Sequence, residues 1–409
     1  MTSNALRRSS VYASSNLDAY KEPLPQRARL AQVQNIDDLR VLARRRLPRF
    51  AFEFVEHGAE DGVSLRRNRR AFESLGFAPR TLRDVAPRTL AGELFGRGFG
   101  APIGIAPTGR NGFLTAGADA ALARAAAAHG VPFTLSTMAS TALEEIAAIA
   151  APGTRWMQLY QTPDRAYSRT LIDRAARAGY DALMVTTDTP VSGNRELRHT
   201  RRSPSYPNAA ALTAANWLDA LRHPRWSLDV LWPHGLPSYP NLADYQGNAR
   251  NAAASVQPSP TINWQDIHEI RERWPHTLLV KGVLSVADAH LAVAAGVDGI
   301  VLSNHGGRQL DGAISPLEVL EDVVYAVAGR CRVLIDSGFR RGADIVKALI
   351  MGADMVLVGR PVLYGVAAAG EAGAHRALGL LIEEMDRVMG LLGCTHIAEL
   401  RDQRTLLIS

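Results

Sequence analysis

The stretch Val301 to Asp311, VLSNHGGRQLD, sets an imidazole (His305), a guanidinium (Arg308), two amides and a carboxylate at the end of an apolar run that breaks at Gly306-Gly307. A buried strand ending in polar groups at a glycine turn is how a barrel presents side chains to a cavity, because glycines let backbone and ligand approach closely. His305 can take a proton near neutral pH, and Arg308 can hold a carboxylate through two parallel hydrogen bonds. The plain alternative is a polar loop with a satisfied histidine, and the rest of the chain decides between the two.

Outward from this stretch the chain repeats one rhythm. Strand-like runs occur at 102–108, 132–136, 155–160, 182–188, 277–282, 298–303, 332–338 and 354–359, most of them separated by Ala-rich helical patterns that end at a glycine. Continuous apolar runs alternating with helices imply a parallel sheet, and eight of them close a ring, so the expected fold is α/β, a (β/α)8 TIM barrel. An open doubly wound sheet is the alternative. No G-x-G-x-x-G joins a strand to a helix, and GRGFG at 96–100 is read as a turn.

Residues 1–34 mix Ser, Pro, Gln and Arg and are expected to form a loose arm before one domain spanning 35–400. Within it, 35–100 reads as a helical lid, with Asn35 capping a helix that places Ile36, Leu39, Val41 and Leu42 near one face, then a second helix near 49–57. An insertion after the fourth strand, about 196–265, is too long for a βα connection. Its WLDALRHPRWSLDVLWPHGL mixes aromatics, leucines and arginines, so the 205–240 loop is expected either to pack its own tryptophans onto the barrel or to touch a membrane interface. The closing pattern from Ala374 to Leu392 reads as an amphipathic helix.

The net charge of +6 leaves nucleic acid, a membrane surface and anionic ligands open. Nucleic acid is disfavoured because no aromatic-basic interleaving accompanies the charge. No 18-residue apolar run and no secretory h-region are present, so a cytoplasmic protein, at most peripheral on the inner face of the cell membrane, is expected. Two cysteines, Cys331 and Cys394, without a C-x-x-C argue against a disulfide scaffold or a metal site. Only three residues are lysine, Lys21, Lys281 and Lys347, so Lys281 inside LLVKGV stands out as chosen for chemistry.

The strand ends carry polar sets: Pro107-Thr108-Gly109, Ser136, Gln158 with Tyr160, Thr186 with Asp188, Lys281, Ser303 with His305 and Arg308, Asp336 with Arg340, and Gly359-Arg360. Packing alone prefers apolar termini, and barrel active sites lie at this face. After the seventh and eighth strands, backbone N–H groups at Gly338 and Gly359 with the guanidiniums of Arg340 and Arg360 suit a phosphate dianion. Thr108, Ser136, Gln158 and Thr186 suit the polar edge of a flat heterocycle, and Lys281 would stabilise negative charge on it when reduced.

In SNHGGRQLD, DSGFRRGADIVKALIMGA, QLY, TTDTP and VGRP the chain resembles the FMN-dependent (S)-2-hydroxy-acid oxidases and dehydrogenases, the group of glycolate oxidase, L-lactate dehydrogenase and (S)-mandelate dehydrogenase. The likeness runs from about Asn35 to Cys394, with WPHTLLVKG and AISPLEVL most like mandelate dehydrogenases and the 207–230 loop more like respiratory lactate dehydrogenases. The resemblance implies FMN held by Pro107, Thr108, Gly109, Ser136, Gln158, Thr186, Lys281, Ser303, Asp336, Ser337, Gly338, Phe339, Arg340, Gly359 and Arg360. It implies His305 as base, Asp188 stabilising its imidazolium, and Arg308, Tyr160 and Arg195 gripping the substrate carboxylate. A 2-hydroxy acid would leave as the 2-keto acid; proton loss from oxygen with hydride transfer and proton loss from carbon both stay open. A homotetramer is the assembly the resemblance implies.

Three positions depart from the family pattern or bear on its subdivision. Phe54 stands where a carboxylate-binding tyrosine is usual, Arg110 where an apolar residue is commoner, and Gly109 where oxidases often carry alanine. Arg110 is expected to reach the pocket, where it would replace the missing grip or read a second acidic group on a larger substrate. Gly109 favours a non-oxygen acceptor such as a quinone over oxygen, and Met138 and Ser192 are expected to line the side-chain pocket. The alternatives are an oxygen-using oxidase of a larger substrate, a different FMN barrel, and a non-catalytic FMN-binding protein.

Overall fold

The structure is a computed structural model that describes residues 30–196, 213–232, 235–243, 245, 259–401 and 406–408. The expected N-terminal arm therefore lies almost wholly outside the described residues, as does much of the insertion.

Three helices precede the barrel: α1 (Ile36–Arg46), α2 (Arg49–Glu56) and α3 (Val63–Glu73). Asn35 caps α1 by accepting from the Asp38 N–H at 3.0 Å, and acids in the first turn with arginines in the last complement the helix dipole. The helix buries Ile36, Leu39 and Ala43, whereas Val41 is exposed. The expected face was misdrawn at Val41, which lies two residues, or about 200°, from Leu39 on a 3.6-residue turn.

A short strand β1 (Gly76–Phe77) pairs with a terminal strand at Leu407–Ile408. A hairpin of β2 (Gly92–Leu94) and β3 (Arg97–Phe99) follows. GRGFG is thus a hairpin strand and not merely a turn: Phe95 and Gly96 make the turn at positive φ, and the strand after it pairs back. Leu94 and Phe95 pack with Trp156, Met184, Leu279 and Met355 inside the ring, so the hairpin closes its N-terminal end.

The ring has eight parallel strands: β4 (Ile103–Thr108), β5 (Phe133–Ser136), β6 (Arg155–Tyr160), β7 (Ala182–Thr186), β8 (Thr277–Val283), β9 (Gly299–Leu302), β10 (Arg332–Ile335) and β11 (Met355–Val358). The spatial order β10-β11-β4-β5-β6-β7-β8-β9 closes a barrel. Register places Tyr160 beside Thr186 and Thr186 beside Lys281, so the polar residues expected at strand ends stand level at one rim. The apolar interior below them leaves that rim as the place for a ligand.

The closing helix is longer than the sequence pattern implied, running from Arg360 to Leu392 and bending at Ala369-Gly370. It is buried nearly all round, not amphipathic, because α1 and the helix at Ala118–Ala128 pack on it and cover faces that would otherwise be wet. At the bend Gly365 and Gly373 meet so closely that a Cβ on Gly365 would lie 2.3 Å from the Gly373 carbonyl oxygen.

In the insertion, helices at Ala214–Leu221 and Pro224–Val230 divide the tryptophans. Trp226 is buried and donates its indole N–H to the Phe113 carbonyl at 2.8 Å, while Trp217 and Trp232 are exposed. The expected packing of the segment onto the barrel is thus seen at Trp226, while Trp217 and Trp232 stay on the surface.

Candidate active site

Ile300, Val301 and Leu302 of β9 are fully buried, and the chain then leaves the barrel through Ser303, Asn304 and His305. His305, Gly306 and Gly307 all have positive φ, a left-handed turn that glycines adopt freely and a histidine adopts at a cost. Gly307 also admits no side chain, since a Cβ would lie 2.7 Å from the Leu65 nitrogen of α3. The turn aims the His305 ring across the rim toward the chain after β7.

There Asp188 places both carboxylate oxygens 3.2 Å from His305 Nδ1. Burial opposes the Asp188 charge, yet the facing His305 and Lys281 hold its pKa below the usual carboxylate value. An ionised Asp188 fixes the proton on Nδ1, leaving the Nε2 lone pair toward the Tyr160 hydroxyl at 3.4 Å. Burial also pushes the His305 pKa down, with Lys281 adding to it and Asp188 opposing it, so the imidazole rests neutral and able to accept a proton.

Lys281 lies on β8 with its ammonium 3.3 Å from Asp336 and 3.0 Å from Ser303 Oγ. Burial disfavours its charge, but Asp336 and Asp188 outweigh that and raise its pKa, so it is a fixed cation at the barrel floor. Beside it Ser136 Oγ donates to Gln158, and the Gln158 amide donates to Thr186 Oγ1 at 3.0 Å. These groups span neighbouring strand ends with donors and acceptors in one row.

Above this row opens a cavity of ≈ 1010 Å³, open to solvent on one side. Pro107, Thr108, Gly109, Ser136, Tyr160, Lys281, His305 and the run Asp336 to Arg340 line it, with Gly359 and Arg360. Gln158, Thr186, Ser303 and Asp188 lie behind that lining, and Ser192 is not part of it, whereas Met138 is.

The donor set fits FMN. At the phosphate end, Arg340 and Arg360 flank the N-terminus of the long closing helix, where N–H groups and the helix dipole favour an anion. Arg360 is buried and also donates to the Val55, His57 and Gly306 carbonyls; burial pushes its pKa down to about 10, which leaves it charged at neutral pH. The Arg340 N–H is taken by Asp344, so from that turn the Arg340 side chain faces the cavity as the donor. Phe339 lines the wall while its ring packs on Phe72.

Another side of the cavity is formed by α2 and two arginines. Arg308 donates to the Phe54 and His57 carbonyls, with its guanidinium carbon 5.1 Å from the Phe54 ring centroid. Phe54 therefore keeps the ring contact and supplies no hydroxyl. Arg195 is buried, donates to the Arg308 carbonyl and Gln309 Oε1, and lines the same cavity. Arg110, at positive φ after β4, is buried in the wall and does not point to solvent.

Two participants escaped the sequence reading. Gln309 donates to the Asp188 and Val191 carbonyls and accepts from the Gly193 N–H and Arg195, so one amide ties the Asp188–Arg195 segment to the His305 turn. Its place in the opening stretch was the available signal. Tyr239, from the insertion, lies under Arg110 with its ring centroid 5.0 Å from the guanidinium carbon. No motif marks it.

The family model for FMN-dependent dehydrogenases matches residues 43–407. An (S)-mandelate dehydrogenase from Pseudomonas putida is 43% identical over 371 residues, 90% of this chain and 92% of that protein. An L-lactate dehydrogenase from Xanthomonas campestris is 40% identical over 374 residues, 89% of this chain and 94% of that protein. Among solved structures, one described as the monotopic membrane protein (S)-mandelate dehydrogenase superposes with a TM-score of 0.85 at 42% identity, over 92% of this chain and 99% of that one. A mandelate oxidase superposes with a TM-score of 0.74 at 36% identity, over 90% of this chain and 98% of that one.

Proposed function

From the premise that the chain belongs to the FMN-dependent dehydrogenase family, we propose that it oxidises an (S)-2-hydroxy acid of mandelate or lactate type to the 2-keto acid, with the residues of this cavity in the roles given below. The observation that carries the proposal is the neutral His305 ring, braced by Asp188 and facing a cavity that Tyr160, Arg308 and Arg195 also line. FMN, when bound, supplies the two-electron acceptor.

The chain's own residues do the rest. Arg308, Arg195 and the Tyr160 hydroxyl bind the substrate carboxylate and so orient its α-carbon. His305 Nε2 takes the substrate proton, and the imidazolium that forms is stabilised by Asp188 at 3.2 Å. Lys281, a fixed cation beside Asp336, would offset the negative charge that the flavin takes up on reduction. Arg340, Arg360 and the helix N-terminus anchor the phosphate. Anaerobic titration of the yellow holoprotein with (S)-lactate, glycolate, (S)-mandelate and (S)-2-hydroxyglutarate tests the assignment: at least one of them bleaches the flavin, and a flavin left oxidised by all four overturns it.

The final acceptor in this proposal is a quinone reached at a membrane surface. Trp217, Leu218, Leu221 and Leu228 of the insertion helices and Trp232 just after them are exposed, with Arg222 and Arg225 exposed among them, apolar and basic side chains suited to an anionic interface. No helix among the described residues is long and apolar enough to cross a membrane, so the contact would be peripheral. The similar structure described as monotopic supports this. Sedimentation with anionic vesicles checks it, and reduced enzyme that air reoxidises as fast as a quinone analogue does would reverse the choice of acceptor.

A further inference from the structure

Among the described residues, six cationic side chains line the cavity, Arg110, Arg195, Lys281, Arg308, Arg340 and Arg360, against a single carboxylate, Asp336. The proposed reaction uses five of them: two for a phosphate dianion, one under the heterocycle and two for the substrate carboxylate. Arg110 is left without an assignment. It is no surface residue, being 1% exposed, and it stands in the left-handed backbone region that non-glycine residues avoid. A cation buried in the wall of a substrate cavity, at a backbone geometry that non-glycine residues adopt at a cost, is placed there for more than packing.

Its position in the ring says which part of a substrate it would meet. The Arg110 N–H bonds to the Met138 carbonyl just past β5, and β5 is four places from β9 in a ring of eight. Arg110 itself follows β4, three places from β9, so it lines the cavity from a stretch of rim other than the one that carries His305 and Arg308, and a group bound to it would belong to a different part of the substrate from the carboxylate. The guanidinium lies over the Tyr239 ring and Nη1 donates to the Tyr239 hydroxyl at 3.2 Å, which fixes its plane before any ligand arrives.

Building on the proposed 2-hydroxy-acid oxidation, we infer that Arg110, held flat by Tyr239, selects substrates with a second anionic group at the end of the side chain, 2-hydroxy dicarboxylates in the simplest case. The specificity is a difference between two transition states: a diacid gains a desolvated charge pair with Arg110, while a monoacid of the same length buries the guanidinium against a methyl group.

The test compares (S)-2-hydroxyglutarate with (S)-2-hydroxyvalerate, which differ by that terminal group, on the wild-type holoenzyme and on Arg110→Met and Arg110→Lys. Wild type is expected to favour the diacid in kcat/KM. Arg110→Met should lower kcat/KM for the diacid roughly 30-fold or more and leave the monoacid within about threefold, with Arg110→Lys between. A wild type with no diacid preference, or a parallel loss on both substrates, assigns Arg110 to holding the insertion on the barrel and overturns the inference. Should Arg110→Met fail to take up FMN, binding to wild type decides: 2-ketoglutarate must perturb the flavin spectrum at lower concentration than 2-ketovalerate, and equal binding overturns the inference. Failure of the underlying reading looks different, since neither hydroxy acid would then bleach the wild-type flavin, and the inference would fall with it.

Discussion

Replacing Asp188 by Asn keeps the volume of the side chain and removes the charge that faces His305 at 3.2 Å. At an effective dielectric constant of ~20, unit charges at that separation interact by about 5 kcal/mol, an upper bound because the asparagine dipole and nearby water recover part of it. If half is lost in the transition state, about 2.5 kcal/mol, the rate falls about 70-fold, and the full value corresponds to about 5 × 10³. Anaerobic stopped-flow loss of the flavin's visible absorbance reads this step directly. The pH profile supplies a second, signed readout. Asp188 raises the His305 pKa and Lys281 lowers it, so Asp188→Asn should move the acid limb of kcat/KM to lower pH and Lys281→Met to higher pH. In wild type, burial of His305 should already set that limb below the ordinary histidine range. A variant that bleaches within threefold of wild type, or an acid limb that moves upward in Asp188→Asn, refutes the role given to this pair.

Gln309→Ala removes four hydrogen bonds between the Asp188–Arg195 segment and the His305 turn. It should raise KM about tenfold or more as Arg195 loses its position, with FMN content retained; an unchanged KM refutes the bracing role. Gly365→Ala puts a methyl 2.3 Å from the Gly373 carbonyl, and backbone cannot yield as a flexible side chain can, so a loss on the order of 3 kcal/mol or more is expected in chemical denaturation of the holoprotein. His375, beside His129 in the core with ring centroids 5.2 Å apart, is pushed down to about 4 by burial, with His129 adding to the effect. A histidine pKa depressed on folding gives stability that is complete above the unfolded value of 6.5 and lost as pH falls toward the folded one. At pH 4.5 that amounts to at most about 2.5 kcal/mol, and His375→Gln should flatten the fall between pH 7 and 4.5.

The barrel was legible because eight apolar runs with helical spacers leave few topologies, and each run became a strand within a few residues of its expected bounds. The rim was legible for the same reason: a strand's last residues must face the rim, so the polar side chains at those positions were fixed in space once the ring closed. What could not be read was whatever depended on a second segment arriving from elsewhere. GRGFG pairs with Gly92–Leu94 and plugs the barrel only because Leu94 and Phe95 have an interior to enter. The closing helix lost its expected wet face because α1 covers it, a contact between residues more than 300 positions apart.

The same division runs through the site. His305 and Asp188 could be paired from strand order alone, since both leave the rim next to β8, after β9 and β7. Arg110 could be placed at the rim but not given a posture, because its plane is set by Tyr239, and the insertion that carries Tyr239 has no periodicity to say where it returns. A catalytic base is fixed by the barrel, and the barrel is written in apolar spacing. The group that reads the far end of the substrate is fixed by an inserted loop. Chemistry and selectivity in this protein are therefore separable by mutation: changes at Tyr239 should alter which hydroxy acid is accepted while leaving the His305–Asp188 pair, which other strand ends carry, to work as before.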